Sequence, residues 1–238
     1  NATPIGTNAG IMRVTSNAYQ PTKGGGYELG FTKISDNGTI QYCTYVGGSG
    51  AEGIGSCFYK DGKVYITGLT KSANFPLASN RTPDAAGDCF IMSWNDGATP
   101  TPSSTFIFGG NGEDWCNYIA WNQVSNSFVV DGYTYSTNFP YTNVLQNGQT
   151  TGGFVASISP DLTSITNCTM LGTGMRPFSL LTKTNGEIYC CNTLVSAAAT
   201  APITIGAYKS TNTGIDDRAI IGLSPSGQLL YGTFVNYC

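Results

Sequence analysis

At 238 residues the chain is long enough to bury a sizeable core as one large all-β domain. Charged residues make up 11% of it, under half the usual share, and 31 glycines with abundant Ser, Thr and Asn take their place. A formal charge of -3 without a basic cluster argues against a nucleic-acid surface, and no apolar run approaches the roughly 18 residues of a membrane-spanning helix.

Taken in order, the chain begins at Asn1 with no recognisable leader and reads as a mature or excised segment. Ile5 to Val14 carries no charge before Arg13 and has no counterpart later in the sequence. A loop at Asn17-Ala18-Tyr19-Gln20-Pro21 precedes a predicted strand at Phe31–Ser35, a turn at Asp36-Asn37-Gly38 and a strand ending in Tyr45-Val46-Gly47-Gly48. Next come strands at Ser56–Tyr59 and Val64–Thr67 around Asp61-Gly62, then Gly68-Leu69-Thr70-Lys71-Ser72-Ala73-Asn74-Phe75-Pro76. A strand at Phe90–Ser93 and a turn at Asn95-Asp96-Gly97 lead to a second glycine pair, Ile107-Phe108-Gly109-Gly110.

The same order then recurs. Strands at Asn117–Trp121 and Phe128–Asp131 are followed, 64 positions after the first copy, by Gly132-Tyr133-Thr134-Tyr135-Ser136-Thr137-Asn138-Phe139-Pro140. Phe154–Ser159 and Met170-Leu171-Gly172 complete that unit. A third unit runs through Phe178–Leu181, Asn185-Gly186, Ile188–Cys191, Ala219–Ser224 and Gly232–Val235, having lost Asn-Phe-Pro. No segment holds a helical period. The predicted fold is therefore all-β, built of tandem four-stranded antiparallel blades in a β-propeller-like array, with a half repeat at 17–48 and repeats at about 49–110, 111–173 and 174–238.

The glycine pair, the D-G or N-G hairpin, G-x-T-x-S-x-N-F-P, an A-Y-Q-like step and an acidic residue before the next strand (Glu28, Asp88, Asp217) together resemble the SBBP repeat, named for a seven-bladed β-propeller. The A-Y-Q step stands at Ala18-Tyr19-Gln20 and Ala207-Tyr208-Lys209, and Gly152 departs from the acidic place. The resemblance implies a propeller fold and a secreted or cell-surface protein, and it brings no catalytic residues with it.

About 3.5 repeats supply fourteen strands where four whole blades need sixteen. Either the sequence is part of a longer propeller, or neighbouring copies complete its open edges, with Ile5 to Val14 as donor strand and Cys238 as a covalent tie. Eight cysteines (Cys43, Cys57, Cys89, Cys116, Cys168, Cys190, Cys191, Cys238) without a C-x-x-C pair fit disulfides of an oxidising compartment better than a metal site, and predict a secreted chain. Four sequons, Asn1, Asn37, Asn80 and Asn167, are candidate glycan sites in surface loops.

The absence of histidine excludes Ser-His-Asp and Cys-His catalysis. Carboxylate chemistry would fall to Glu52, Glu113 and Asp114, whose repetition favours a turn role, and calcium to Asp84, Asp88, Asp216 and Asp217, which lack a recognised calcium-loop spacing. Trp94, Trp115 and Trp121 are core or sugar-stacking candidates, with Trp115 the best placed for exposure. The sequence therefore predicts a non-enzymatic extracellular structural or adhesive repeat protein without cofactor or metal. Its expected partners are other copies or other chains of a surface assembly or filament. The alternative is a glycan-binding, lectin-like module.

Overall fold

The structure, a computed structural model, describes residues 12–146, 148–195, 199–212 and 217–235. Asn1, Asp216, Cys238 and most of the Ile5 to Val14 stretch lie outside the described residues. The fold is all-β, with no helix among the described residues.

Four antiparallel-rich sheets follow one another along the chain. The first pairs β1 (Leu29–Ile34) with β2 (Ile40–Val46). The second orders β3 (Glu52–Lys60), β4 (Lys63–Thr70), β5 (Asp88–Asn95) and β6 (Thr101–Phe108). The third contains β7 (Asp114–Asn122), β8 (Ser127–Thr134), the two-residue β9 (Asn143–Val144), β10 (Gly152–Ile158) and β11 (Ile165–Gly172), in the order β7-β8-β10-β11-β9. The fourth orders β12 (Met175–Thr182), β13 (Ile188–Leu194), β14 (Arg218–Leu223) and β15 (Leu229–Val235).

Period-two alternation makes each middle strand serve two cores. In β5, Cys89 and Ile91 enter one core with Cys116, Phe128, Val130 and Phe154, whereas Phe90, Met92 and Trp94 enter another with Leu29, Tyr42 and Val46. Val129 and Val155 of the third sheet join Met175, Ile188 and Ile221 of the fourth. The sheets are thus stacked face to face in chain order. Trp94 has no exposed area and stacks on Phe31 at 4.8 Å, while Trp121 is half-buried over Phe128.

The repeated phrase has a physical role at five of its six fixed letters. Gly68 lies opposite Phe90 and Gly132 opposite Phe154; a Cβ at either glycine would stand within 2.9 Å of the phenyl ring. Phe75 and Phe139 then pack on those same rings, at 4.8 and 4.6 Å. Thr70 and Thr134 accept hydrogen bonds from the backbone N–H groups of Ser72 and Ser136. The Ser72 and Ser136 hydroxyls accept from the N–H groups of Gly50 (2.8 Å) and Gly112 (2.7 Å). Asn74 and Asn138 accept from Ser49 and Asn111, both at 2.8 Å. The phrase therefore fastens the glycine-pair turn that leads into its own sheet.

A buried carboxylate completes each clasp. Glu52, opposite Thr70, accepts from Thr70 Oγ1 (2.9 Å), Ser72 Oγ and Gly48 N (3.3 Å). Asp114, opposite Thr134, accepts from Gly110 N (2.6 Å) and Ser136 Oγ (2.8 Å). In the fourth sheet the corresponding pair is Met175 opposite Leu194, both fully buried, so an apolar contact stands where the other two sheets place a carboxylate and a threonine.

Ser136→Ala should leave the Gly112 N–H and one Asp114 oxygen short of a partner, and a cost of about 1–3 kcal/mol is expected in urea unfolding.

Candidate functional site

The first strands of the second, third and fourth sheets run beside one another. Ser56 Oγ accepts from Ile119 N (3.0 Å), Asn117 Nδ2 donates to Pro177 O (2.7 Å), and Thr182 Oγ1 donates to Trp121 O (2.8 Å). Each of these strands is bulged at the same place: the register shifts between Ile54 and Cys57, between Cys116 and Tyr118, and between Pro177 and Ser179. A bulge leaves a residue out of the ladder and re-aims its neighbours. Of the residues so released, Gly55, Asn117 and Phe178 line one groove of about 500 Å³ with Trp115, Tyr133 and Arg176.

Within that groove Trp115 and Tyr133 are parallel and offset, their centroids 6.4 Å apart and the planes 10° from each other. The Arg176 guanidinium stands 4.5 Å from the centre of Tyr133 and 5.8 Å from that of Tyr135, and donates to the Tyr135 hydroxyl. Trp115, the tryptophan expected at the surface, is half-buried.

Beyond Ile54 and Gly55, which border both, a second groove of about 520 Å³ lies between β1 and β3, lined by Phe31, Thr32, Lys33, Val64 and Ile66. It adjoins an open strand edge. β5, β10 and β14 each have a strand on both sides, but β1 pairs only with β2 among the described residues. The outer edges of the sheets are handled differently. Thr15 N donates to Cys43 O and Tyr45 N to Gln20 O beside β2. Asn80 brackets Ile107 through its side-chain amide, β9 lies parallel to β11, and Thr204 N donates to Gly232 O beside β15. Met12, near the end of the expected donor stretch, donates its N–H to Tyr45 Oη of its own sheet.

The acidic candidates are mostly structural. Glu52 and Asp114 belong to the clasps; Glu113 pairs with Lys71 at 3.1 Å. Asp88 and Asp114 face each other across Gly109, where a Cβ would stand 2.1 Å from Asp88 Oδ1 and 2.6 Å from Asp114 Oδ2. Arg81 holds this junction together, bonded to the carbonyls of Gly109 and Gly110 and lying 3.0 Å from Asp88 Oδ1. Burial raises Asp114 above the ordinary carboxylate range and Asp88 to about 6, despite the Asp84 N–H and Arg81 that favour its charge. Arg81 also lies 3.8 Å from Asp84 Oδ2, so Asp84 and Asp88 share an arginine. No group of three or more acidic or cysteine residues is arranged for a metal among the described residues.

Asp131 was not singled out by the sequence. It stands where β4 carries Thr67, fully buried, with Oδ1 accepting from Tyr118 N (3.0 Å) at the bulge and Oδ2 without a partner. Burial raises its pKa to about 8. The only sequence signal is an aspartate interrupting an apolar strand.

The expected disulfides are not met among the described residues: Cys43, Cys57, Cys89, Cys116, Cys168, Cys190 and Cys191 are free thiols, with none at bonding distance from another. Five sit deep in the cores or sheets as small apolar groups, and burial raises Cys168 and Cys190 far above the ordinary thiol range. Of the sequons, Asn37 and Asn80 are exposed, although Asn80 spends its amide on Ile107, and Asn167 is half-buried. No family model matches the chain, and no curated protein gives a significant match.

Two measurements follow. Native alkylation should label Cys57 first and leave Cys43, Cys89, Cys116, Cys168 and Cys190 protected until denaturant is added, as read by peptide mass mapping. For Asp131, the folded chain holds a proton that the unfolded chain releases near 3.8. Its contribution to stability therefore falls as pH rises from about 4 to about 8 and is level above that. Asp131→Asn keeps the acceptor for Tyr118 N and should flatten that slope in denaturant titrations, raising stability most at and above pH 8.

Proposed function

We propose that the chain is a non-enzymatic extracellular structural or adhesive subunit, an arc of SBBP-type propeller blades completed by strands from another copy. The observation that carries this reading is the edge of β1, which has one neighbour where every corresponding strand has two. Unpaired N–H and C=O groups along an edge are a template for another strand. The adjoining groove between β1 and β3 offers apolar walls for the incoming side chains, so main-chain bonds supply affinity and the groove supplies register. Such a contact is head-to-tail, and repeated without closure it builds a filament. Low charge, exposed sequons and the repeat resemblance support an extracellular setting.

Light scattering and electron microscopy of the full chain should show multimers or filaments, and a monodisperse monomer at high concentration overturns the proposal. Thr32→Lys adds a cation on the open strand, gives up the Thr32 Oγ1–Cys43 Sγ contact, and should shift the material toward monomer while a cooperative melting transition shows that the chain stays folded. Removal of residues 1–11 distinguishes the donor: loss of assembly assigns it to that segment, and unchanged assembly assigns it elsewhere in the chain.

A further inference from the structure

We propose that the groove formed by Trp115, Tyr133, Arg176, Asn117 and Phe178 binds an acidic saccharide, with the sugar carboxylate on Arg176 and the ring face on the aromatic side chains. The inference does not depend on how β1 is completed.

Charge supplies the first argument. Arg176 lies within ion-pair distance of no carboxylate among the described residues, and the nearby Glu113 is taken by Lys71. A guanidinium set over Tyr133 and tied to the Tyr135 hydroxyl has its plane fixed, yet keeps N–H donors for a ligand. That fork matches a carboxylate better than a point charge does.

Shape supplies the second. The groove holds about 500 Å³, within the range of small-ligand sites, and four aromatic rings and the Asn117 amide line it beside Ile54, Pro177 and Val195. A pyranose carries an apolar C–H face and a rim of hydroxyls, so it can cover a ring while exchanging hydrogen bonds with Asn117 and Arg176. Phe178 is 41% exposed and Tyr118 37%, in positions set by the bulges. Large aromatic surface left open in a concavity marks a binding site more often than scattered exposed side chains do.

Tri-galacturonic acid and its fully methyl-esterified form present the same rings with and without charge, and can be titrated against the full chain by calorimetry and tryptophan fluorescence. Saturable binding of the acid is expected with a dissociation constant of millimolar order or tighter, and the ester should bind at least about fivefold more weakly. Arg176→Gln keeps a polar stem over Tyr133 and should bring the acid down to the affinity of the ester. Trp115→Ala should weaken both ligands by about tenfold. The melting temperature of each variant confirms that it is folded, and Arg176→Gln decides the matter if Trp115→Ala is not. Absence of saturable binding to the unmodified chain, or an acid-to-ester ratio unchanged in Arg176→Gln, overturns the proposal.

Discussion

The structure depends on how its glycine-pair turns are held. A chain with so few charged residues must join one sheet to the next through turns whose backbone donors face inward, and an unpaired buried N–H is costly. Two turns solve this with one device. A carboxylate at the first residue of the incoming strand takes the glycine N–H, and a serine and an asparagine from the connection after the next strand take the donors that follow. The same device limits the residues that can stand there. Gly109 lies between Asp88 and Asp114, so any side chain would separate two groups that Arg81 and the backbone draw together.

The fourth sheet shows what the clasp is for. Where Glu52 faces Thr70 and Asp114 faces Thr134, the fourth sheet sets Met175 against Leu194 in the same register, and both are fully buried. One apolar pair takes the place of a network of five or six hydrogen bonds. A half-satisfied network is worse than none, and with the carboxylate the threonine and the asparagine are replaced as well, by Leu194 and Ala198. Gly, Thr, Asn, Phe and Pro of the phrase are all replaced there and only Ser196 keeps its letter, so the third repeat looks degenerate in sequence while its strands still pair normally.

That contrast also marks how far the sequence could be read. The all-β class, the strand pairs around Asp61-Gly62 and Asn185-Gly186, and the order of the sheets were legible, because alternation and turn chemistry are local. The roles of Glu52 and Asp114 were half legible: their recurrence pointed to turns, but not to the serine that each binds. Disulfides were inferred from count and composition, and the structure instead buries most of the described cysteines as apolar side chains. Asp131 and the grooves were not legible. Both depend on bulges, which change the register by a residue or two and leave no fixed signature in a single chain.

Those bulges bear on why this arrangement presents a surface at all. A stack of open sheets has two edges per sheet, and each edge must be kept from pairing indiscriminately. The outer edges are covered by the connections that precede β1, β5, β10 and β14, through backbone bonds, the Asn80 amide or the short β9. The inner edges of β3, β7 and β12 are instead broken by bulges, which turn backbone and side chains toward the neighbouring sheet and open the aromatic groove as a consequence. β1 has neither device along Leu29 to Lys33: its ladder to β2 is regular there and its far side has no strand among the described residues. Edge control that is applied seven times and omitted once is the physical basis for assigning assembly to β1 and ligand contact to the bulged strands.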